Sequence, residues 1–194
     1  MKDLTIVFNA FYSKKSLLKV LINLKKFKVI VVENSLDKKI KKELEKKYPN
    51  VKVIIPKENL GLARGYNLAI KSSKTQYVYL NNPDIKISSK SITKLMMCAK
   101  EIENFGVISP IYDDETIHKN YGNYEIQLRD SNFLLKNKIS EVNWIDNNFL
   151  INKKKIKDNL FDERYFLYFE TIDFCLNLKR KNKKLLVVKK AKFK

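Results

Sequence analysis

The chain has 194 residues, 44% of them hydrophobic and 11% aromatic, which is long enough to close a core and too apolar for a disordered polycation. Forty Lys and Arg against 21 Asp and Glu give a formal net charge of +19, which favours anionic partners such as nucleic acid, anionic lipid or phosphorylated substrates without choosing among them. Two distant cysteines and a single histidine, His118, exclude a disulfide framework and any site needing two histidines. Cys98 and Cys175 are expected to be buried free thiols. No charged-then-apolar leader opens the sequence and no apolar run approaches a bilayer span, so the protein is expected to be cytoplasmic.

Residues 4–8 read as a short buried strand and 14–24 as a helix packed by one face. A second buried strand, 28–32, precedes a lysine-rich helix reaching about residue 47, capped by Ser35 or Asp37 and read as a solvated face. A strand over 51–55 follows. Leu62, Ala63, Tyr66, Leu68, Ala69 and Ile70 have helical spacing, and 77–80 is a buried strand ending in Asn81-Asn82-Pro83-Asp84. A helix over 88–102 leads to a strand at 107–109. Between 110 and 138 the pattern loosens into loops or a hairpin, with Asp113-Asp114 a solvated turn rather than a metal pair. Residues 141–152 resemble a strand, 153–158 a short helix, 161–173 run acidic and aromatic residues into a helix continuing to about 181, and 185–188 form a last strand. This alternation predicts an α/β fold with a mainly parallel sheet flanked by helices, in one domain without repeats.

Chemistry concentrates where strands end. Asp84 follows a strand at the edge where open α/β sheets bind ligands. It is placed to hold a divalent cation, Mn²⁺ or Mg²⁺, that bridges a diphosphate. Glu33, after another strand, suits a base N–H or ribose hydroxyls. Backbone N–H groups near Gly61 and Gly65, with Arg64, suit phosphate oxygens. Together these describe a nucleoside diphosphate site. Glu170 and Asp173, three apart on one helix face, offer a general base for an acceptor hydroxyl, or alternatively helix-start acids bonding backbone N–H groups. No zinc-finger or RNA-recognition signature is present and the aromatics follow core spacing, which argues against a nucleic-acid partner.

ENSLD (33–37), NLGLARGYNLAI (59–70), LNNPD (80–84) and FDERYFLYFETIDFC (161–175), in this order, resemble the inverting family 2 glycosyltransferases of the GT-A fold. Within them the sequence is most similar to rhamnosyltransferase-like enzymes of bacterial polysaccharide and lipopolysaccharide assembly. The resemblance implies a nucleotide-binding half (1–110) and an acceptor-side half (111–194). It implies a UDP- or dTDP-sugar donor contacted by Phe8, Asn9, Ala10, Phe11, Glu33, Asn34, Asn59, Gly61, Arg64, Gly65, Asn67, Asn82 and Asp84, with Asp84 touching the metal. Trp144, Asp146 and Tyr168 would line the side of a saccharide or lipid-linked acceptor, and Glu170 or Asp173 would be the base, because Thr171 stands where the family places its usual aspartate. Many relatives add a metal-binding histidine after the last strand, so the sequence reads as truncated or as a compact variant. The charge suggests peripheral contact with an anionic membrane. The alternative reading is a catalytically impaired domain of this fold that binds nucleotide-sugar, lipid or a partner protein.

Overall fold

The structure, a computed structural model, describes residues 2–116, 118–157 and 160–194. Strand β1 (Leu4–Ala10) is apolar at nearly every position because both of its faces are covered. Leu4, Ile6, Phe8 and Ala10 enter one core and Val7 the other. Helix α1 (Lys14–Leu21), β2 (Lys28–Glu33), α2 (Lys38–Lys47), β3 (Val51–Ile54), α3 (Gly61–Ser72), β4 (Tyr77–Asn81) and α4 (Ser89–Glu101) follow in strict alternation. The second half comprises β5 (Phe105–Tyr112), β6 (Glu125–Gln127), α5 (Asn132–Asn137), β7 (Ile139–Val142), β8 (Leu150–Asn152), α6 (Lys153–Ile156), α7 (Glu170–Arg180) and β9 (Lys184–Phe193).

All the strands join one sheet in the order β3-β2-β1-β4-β8-β5-β9-β7-β6. From β3 to β4 every pairing is parallel, as is β5 with β9. β8 runs antiparallel to both its neighbours, and the β6–β7 hairpin closes the far edge. The α/β class expected from the alternation is therefore the one found, parallel in its first half and mixed in its second. Strands step outward from β1 to β3 and restart on its other side at β4. This opens a crevice at the carboxyl ends, where Ala10 is level with Glu33 and Phe8 with Asn81. Helices α1, α2 and α4 cover one face through Leu17, Leu21, Leu44 and Leu95. Helices α3, α6 and α7 cover the other through Ala63, Ile70, Ile156, Phe174 and Leu178.

Local chemistry fixes several boundaries. Asp37 rather than Ser35 caps α2, its Oδ1 accepting from the Lys39 N–H at 2.7 Å, and only Ile40 and Leu44 of that helix are buried. In the irregular region Asp114 accepts from Thr116, Asp113 pairs with Lys194 and Glu115 accepts from the Tyr121 hydroxyl, so this acidic run is a set of turn contacts. Both cysteines are free and buried, and burial pushes each thiol up to about 12.

One expectation is corrected. Residues 141–152 are not one strand: β7 ends at Val142 and β8 begins at Leu150. The polar stretch between them, with Asn148 at a left-handed φ of 71°, turns out of the sheet. Residues 161–169 run irregularly into α7, with Tyr168 and Phe169 at φ of 69° and 64°, and the helix starts at Glu170. The short helix expected over 153–158 is α6, and Asp158 lies outside the described residues.

Candidate functional site

The crevice floor is built from asparagines. Asn9, near the end of β1, donates through Nδ2 to the carbonyls of Gly61 (2.8 Å) and Leu62 (3.2 Å). Asn34, after β2, donates to Asn9 Oδ1, and its own Oδ1 accepts from the Leu60 N–H at 3.0 Å. These bonds tie the ends of β1 and β2 to the start of α3. Gly61 has φ +67°, and a Cβ there would collide with the Phe166 carbonyl oxygen, which instead accepts from the Leu62 N–H at 2.7 Å. Gly65 likewise leaves room for the Asn9 side chain. The result is a cavity of about 210 Å³ lined by Asn9, Phe11, Asn34, Asn59, Gly61 and Phe166, among others.

Leu62 and Leu167 also line a larger neighbouring cavity of about 680 Å³. Asn82, Trp144, Asp146, Tyr168, Phe169 and Glu170 converge on it. In the core beneath α3 and α7 lies an aromatic cluster in which Phe161 is 4.5 Å from Phe174, Phe149 packs against both and Tyr66 stacks on Phe161. That stack seats the first turn of α7 and so fixes Glu170. Glu170 is 3% exposed, and its Oε2 has no hydrogen-bond partner. Burial raises its pKa above the ordinary carboxylate value, its own backbone N–H opposes the shift, and the charge of Asp146 adds to it. The fully buried Glu33 also leaves Oε2 unpartnered, while its Oε1 accepts from the Ser35 N–H at 3.0 Å. A buried carboxylate oxygen without a donor is costly, and two of them beside one crevice are acceptors suited to ligand O–H or N–H groups.

The crevice thus brings together Asn9, Phe11, Asn34, Asn59, Gly61, Asn82, Trp144, Asp146, Tyr168 and Glu170. Phe8 and Ala10 point into the core behind β1, so only their backbone faces the crevice end. Arg64 is engaged with Glu58 at 2.8 Å. Asn67 is buried and serves as a clamp, donating to the Phe161 carbonyl and to Glu163 and accepting from the Phe161 N–H. Asp173 accepts from Asn177 at 2.9 Å and does not line the cavity, which separates it from Glu170. Sequence reasoning passed over Leu62, Phe166, Leu167 and Phe169. The run of apolar residues at 166–169, too long for one face of a helix, was the available signal.

Asp84 is exposed on the turn after Asn82, without a hydrogen bond or ion pair among the described residues. Burial first, and the charges of Glu170, Asp146 and Asp84 after it, raise the pKa of the Tyr66 phenol. No group of three or more His, Cys, Asp or Glu gathers among the described residues. A lone unengaged carboxylate fits a Mn²⁺ or Mg²⁺ ion that completes its shell with substrate phosphate oxygens and water; it does not fit a closed protein cage.

The fold has solved counterparts. GalNAc-T7, crystallised with UDP, GalNAc and Mn²⁺, superposes with a TM-score of 0.79 at 12% identity, covering 100% of this chain and 43% of that one. TarS of S. aureus gives 0.71 at 18% identity, covering 100% of this chain and 36% of that one. The mannosyltransferase PcManGT of Pyrobaculum calidifontis, in complex with GDP-Man and Mn²⁺, gives 0.70 at 11% identity, covering 98% and 56%. The chain therefore spans less than two thirds of each of these proteins, and at such identities the likeness is one of fold. No curated protein matches the chain. The model of glycosyl transferase family 2 matches residues 6–167, most of the crevice included, and the chain belongs to that family.

Proposed function

We propose that the crevice transfers a sugar, with inversion, from a UDP- or dTDP-linked donor to a hydroxyl of a saccharide or lipid-linked acceptor, as in surface polysaccharide synthesis. The observation that carries this reading is Glu170, a buried acid with an unpartnered Oε2, on the lining of the same cavity as Asn82. The smaller cavity, with Asn9, Asn34, Asn59 and the underlying Glu33, holds the nucleoside, and the larger one holds the sugar and acceptor. Glu170 Oε2 takes the proton of the acceptor hydroxyl as its oxygen forms the new bond to the anomeric carbon. The bond from that carbon to the diphosphate oxygen breaks on the opposite face, its electron pair leaving with the nucleoside diphosphate. Trp144, Tyr168 and Phe169 give the acceptor ring apolar faces to lie against. A cation held by Asp84 would neutralise charge on the leaving diphosphate.

The test is nucleoside diphosphate release from a panel of UDP-, dTDP-, GDP- and CDP-sugars, with and without simple glycoside acceptors. Turnover with one base class is expected; no release from any donor would leave a binding domain in its place.

The crevice mouth exposes Phe11, Tyr12, Phe166, Leu167, Tyr168 and Phe169 on a chain of net charge +19. No helix among the described residues is long and apolar enough to cross a membrane. We infer peripheral contact with anionic lipid, at the cytoplasmic face of a membrane, with these rings at the headgroup level. The protein is expected to co-sediment with phosphatidylglycerol vesicles at low salt and to be released at high salt. Absence of salt-sensitive binding removes the inference.

A further inference from the structure

The turn that carries Asp84 is held from three sides. Asn81, buried at the end of β4, donates through Nδ2 to the carbonyls of Asn82 (3.0 Å) and Ile85 (2.9 Å). The Ile85 N–H closes the turn onto the Asn82 carbonyl at 3.1 Å. From the segment leading into the neighbouring strand β8, Asn148, in its left-handed conformation, accepts through Oδ1 from the Asn82 N–H at 2.8 Å. These contacts hold main chain. One contact holds a side chain: the Tyr66 hydroxyl donates to Asn82 Oδ1 at 3.1 Å.

Tyr66 sits on the apolar face of α3, and its ring stacks on Phe161. By spacing alone it is one more core residue. Its hydroxyl nevertheless reaches Asn82, and burial first, with the charges of Glu170, Asp146 and Asp84 adding to it, pushes the phenol pKa up. The group thus remains a neutral O–H donor throughout the working pH range. A donor at that position selects the oxygen of the Asn82 amide and leaves the Nδ2 end unused by α3, on a residue that lines the larger cavity.

We propose that Tyr66 is a positioning residue: by holding Asn82 Oδ1 it turns the amide nitrogen toward the crevice and sets the Asn82-Pro83-Asp84 turn to receive a nucleoside diphosphate with its cation. This rests on the reading of the crevice as a nucleotide-sugar site. Tyr66→Phe keeps the ring in the stack and removes only the donor. Asn82→Ala removes the acceptor and is a second, independent variant outside the core.

The experiment follows free Mn²⁺ by electron paramagnetic resonance while wild type, Tyr66→Phe, Asn82→Ala and the double variant are titrated with UDP, dTDP, GDP or CDP in turn. Nucleotide affinity without metal is measured alongside by calorimetry. Wild type should retain Mn²⁺ with one of these nucleotides. Each single variant should weaken that retention about tenfold, the scale of one buried hydrogen bond, and Tyr66→Phe should do so with little change in metal-free affinity. The double variant should be no worse than Asn82→Ala, because the two groups act as one pair. Unchanged Mn²⁺ retention in Tyr66→Phe overturns the positioning role alone. So does an equal loss with and without metal, which marks a merely structural part. If wild type retains no Mn²⁺ with any of the four, the nucleotide-site reading fails and takes the positioning role with it.

Discussion

Glu170→Gln is expected to lower kcat for transfer by about 10²–10⁴, the range for removing a general base, while leaving donor binding essentially intact. The amide fills the same space beside Asp146 but cannot accept a proton from the acceptor hydroxyl. The same carboxylate gives the pH dependence its sign. Its pKa in the folded protein is raised by burial first and Asp146 second. The acidic limb of kcat/KM should therefore lie above the ordinary glutamate range, activity falling as Glu170 becomes protonated. A group whose pKa rises on folding adds stability below its unfolded pKa and loses that contribution as pH climbs through the folded value. At neutral pH the ionised side chain therefore costs stability, and Glu170→Gln should raise Tm. Relief of about 1 kcal/mol, at the low end for an unsatisfied buried polar group, corresponds to roughly 2–4 °C in a chain of this size. The difference should vanish toward pH 4, where both side chains are neutral. Scanning calorimetry across pH and steady-state kinetics check the two halves of this expectation. An inactive variant with an unchanged Tm would mean that the carboxylate is satisfied in solution.

The second large effect is expected at Asp84. Asp84→Ala should lower kcat/KM by about 10²-fold, on the scale of one lost contact to developing charge, and should abolish any stimulation by Mn²⁺. The residue is exposed and has no hydrogen bond or ion pair among the described residues, so its removal should leave Tm unchanged in the absence of ligand. Initial rates over a Mn²⁺ series separate this outcome from general damage. A variant that keeps a wild-type metal response assigns the cation to other groups.

Much of the fold was legible because strands buried on both faces read as unbroken apolar runs, as at residues 4–8 and 28–32, and because α2 carries a capping residue in sequence. The crevice was legible where residue type and strand end coincide, as at Glu33 and Asn82, and where an acid opens a helix, as at Glu170. The segment 141–152 misled for a physical reason. Val142, Ile145, Leu150 and Ile151 are all buried, so its apolar content is that of a strand, yet Asn148 takes a left-handed turn that no spacing rule shows. The family resemblance implies Asn67 as a nucleotide contact, but its amide is consumed by the backbone of Phe161 and by Glu163. Tyr66 was assigned to the apolar face because periodicity registers the ring and is blind to the hydroxyl. Two positive-φ aromatics, Tyr168 and Phe169, are rare enough that their placement beside Glu170 was not readable from residue type.

The central claim, that these strand ends form a nucleoside diphosphate site completed by Asp84, is tested most directly by thermal shift with UDP, dTDP, GDP and CDP, each with and without Mn²⁺. At a hundredfold excess over Kd, a true ligand stabilises by about 2.7 kcal/mol, which is roughly 5–11 °C here. One base should give a shift of this order that grows with Mn²⁺ in the wild type and loses its Mn²⁺ component in Asp84→Ala. No shift with any of the four nucleotides, with or without the cation, would contradict the account.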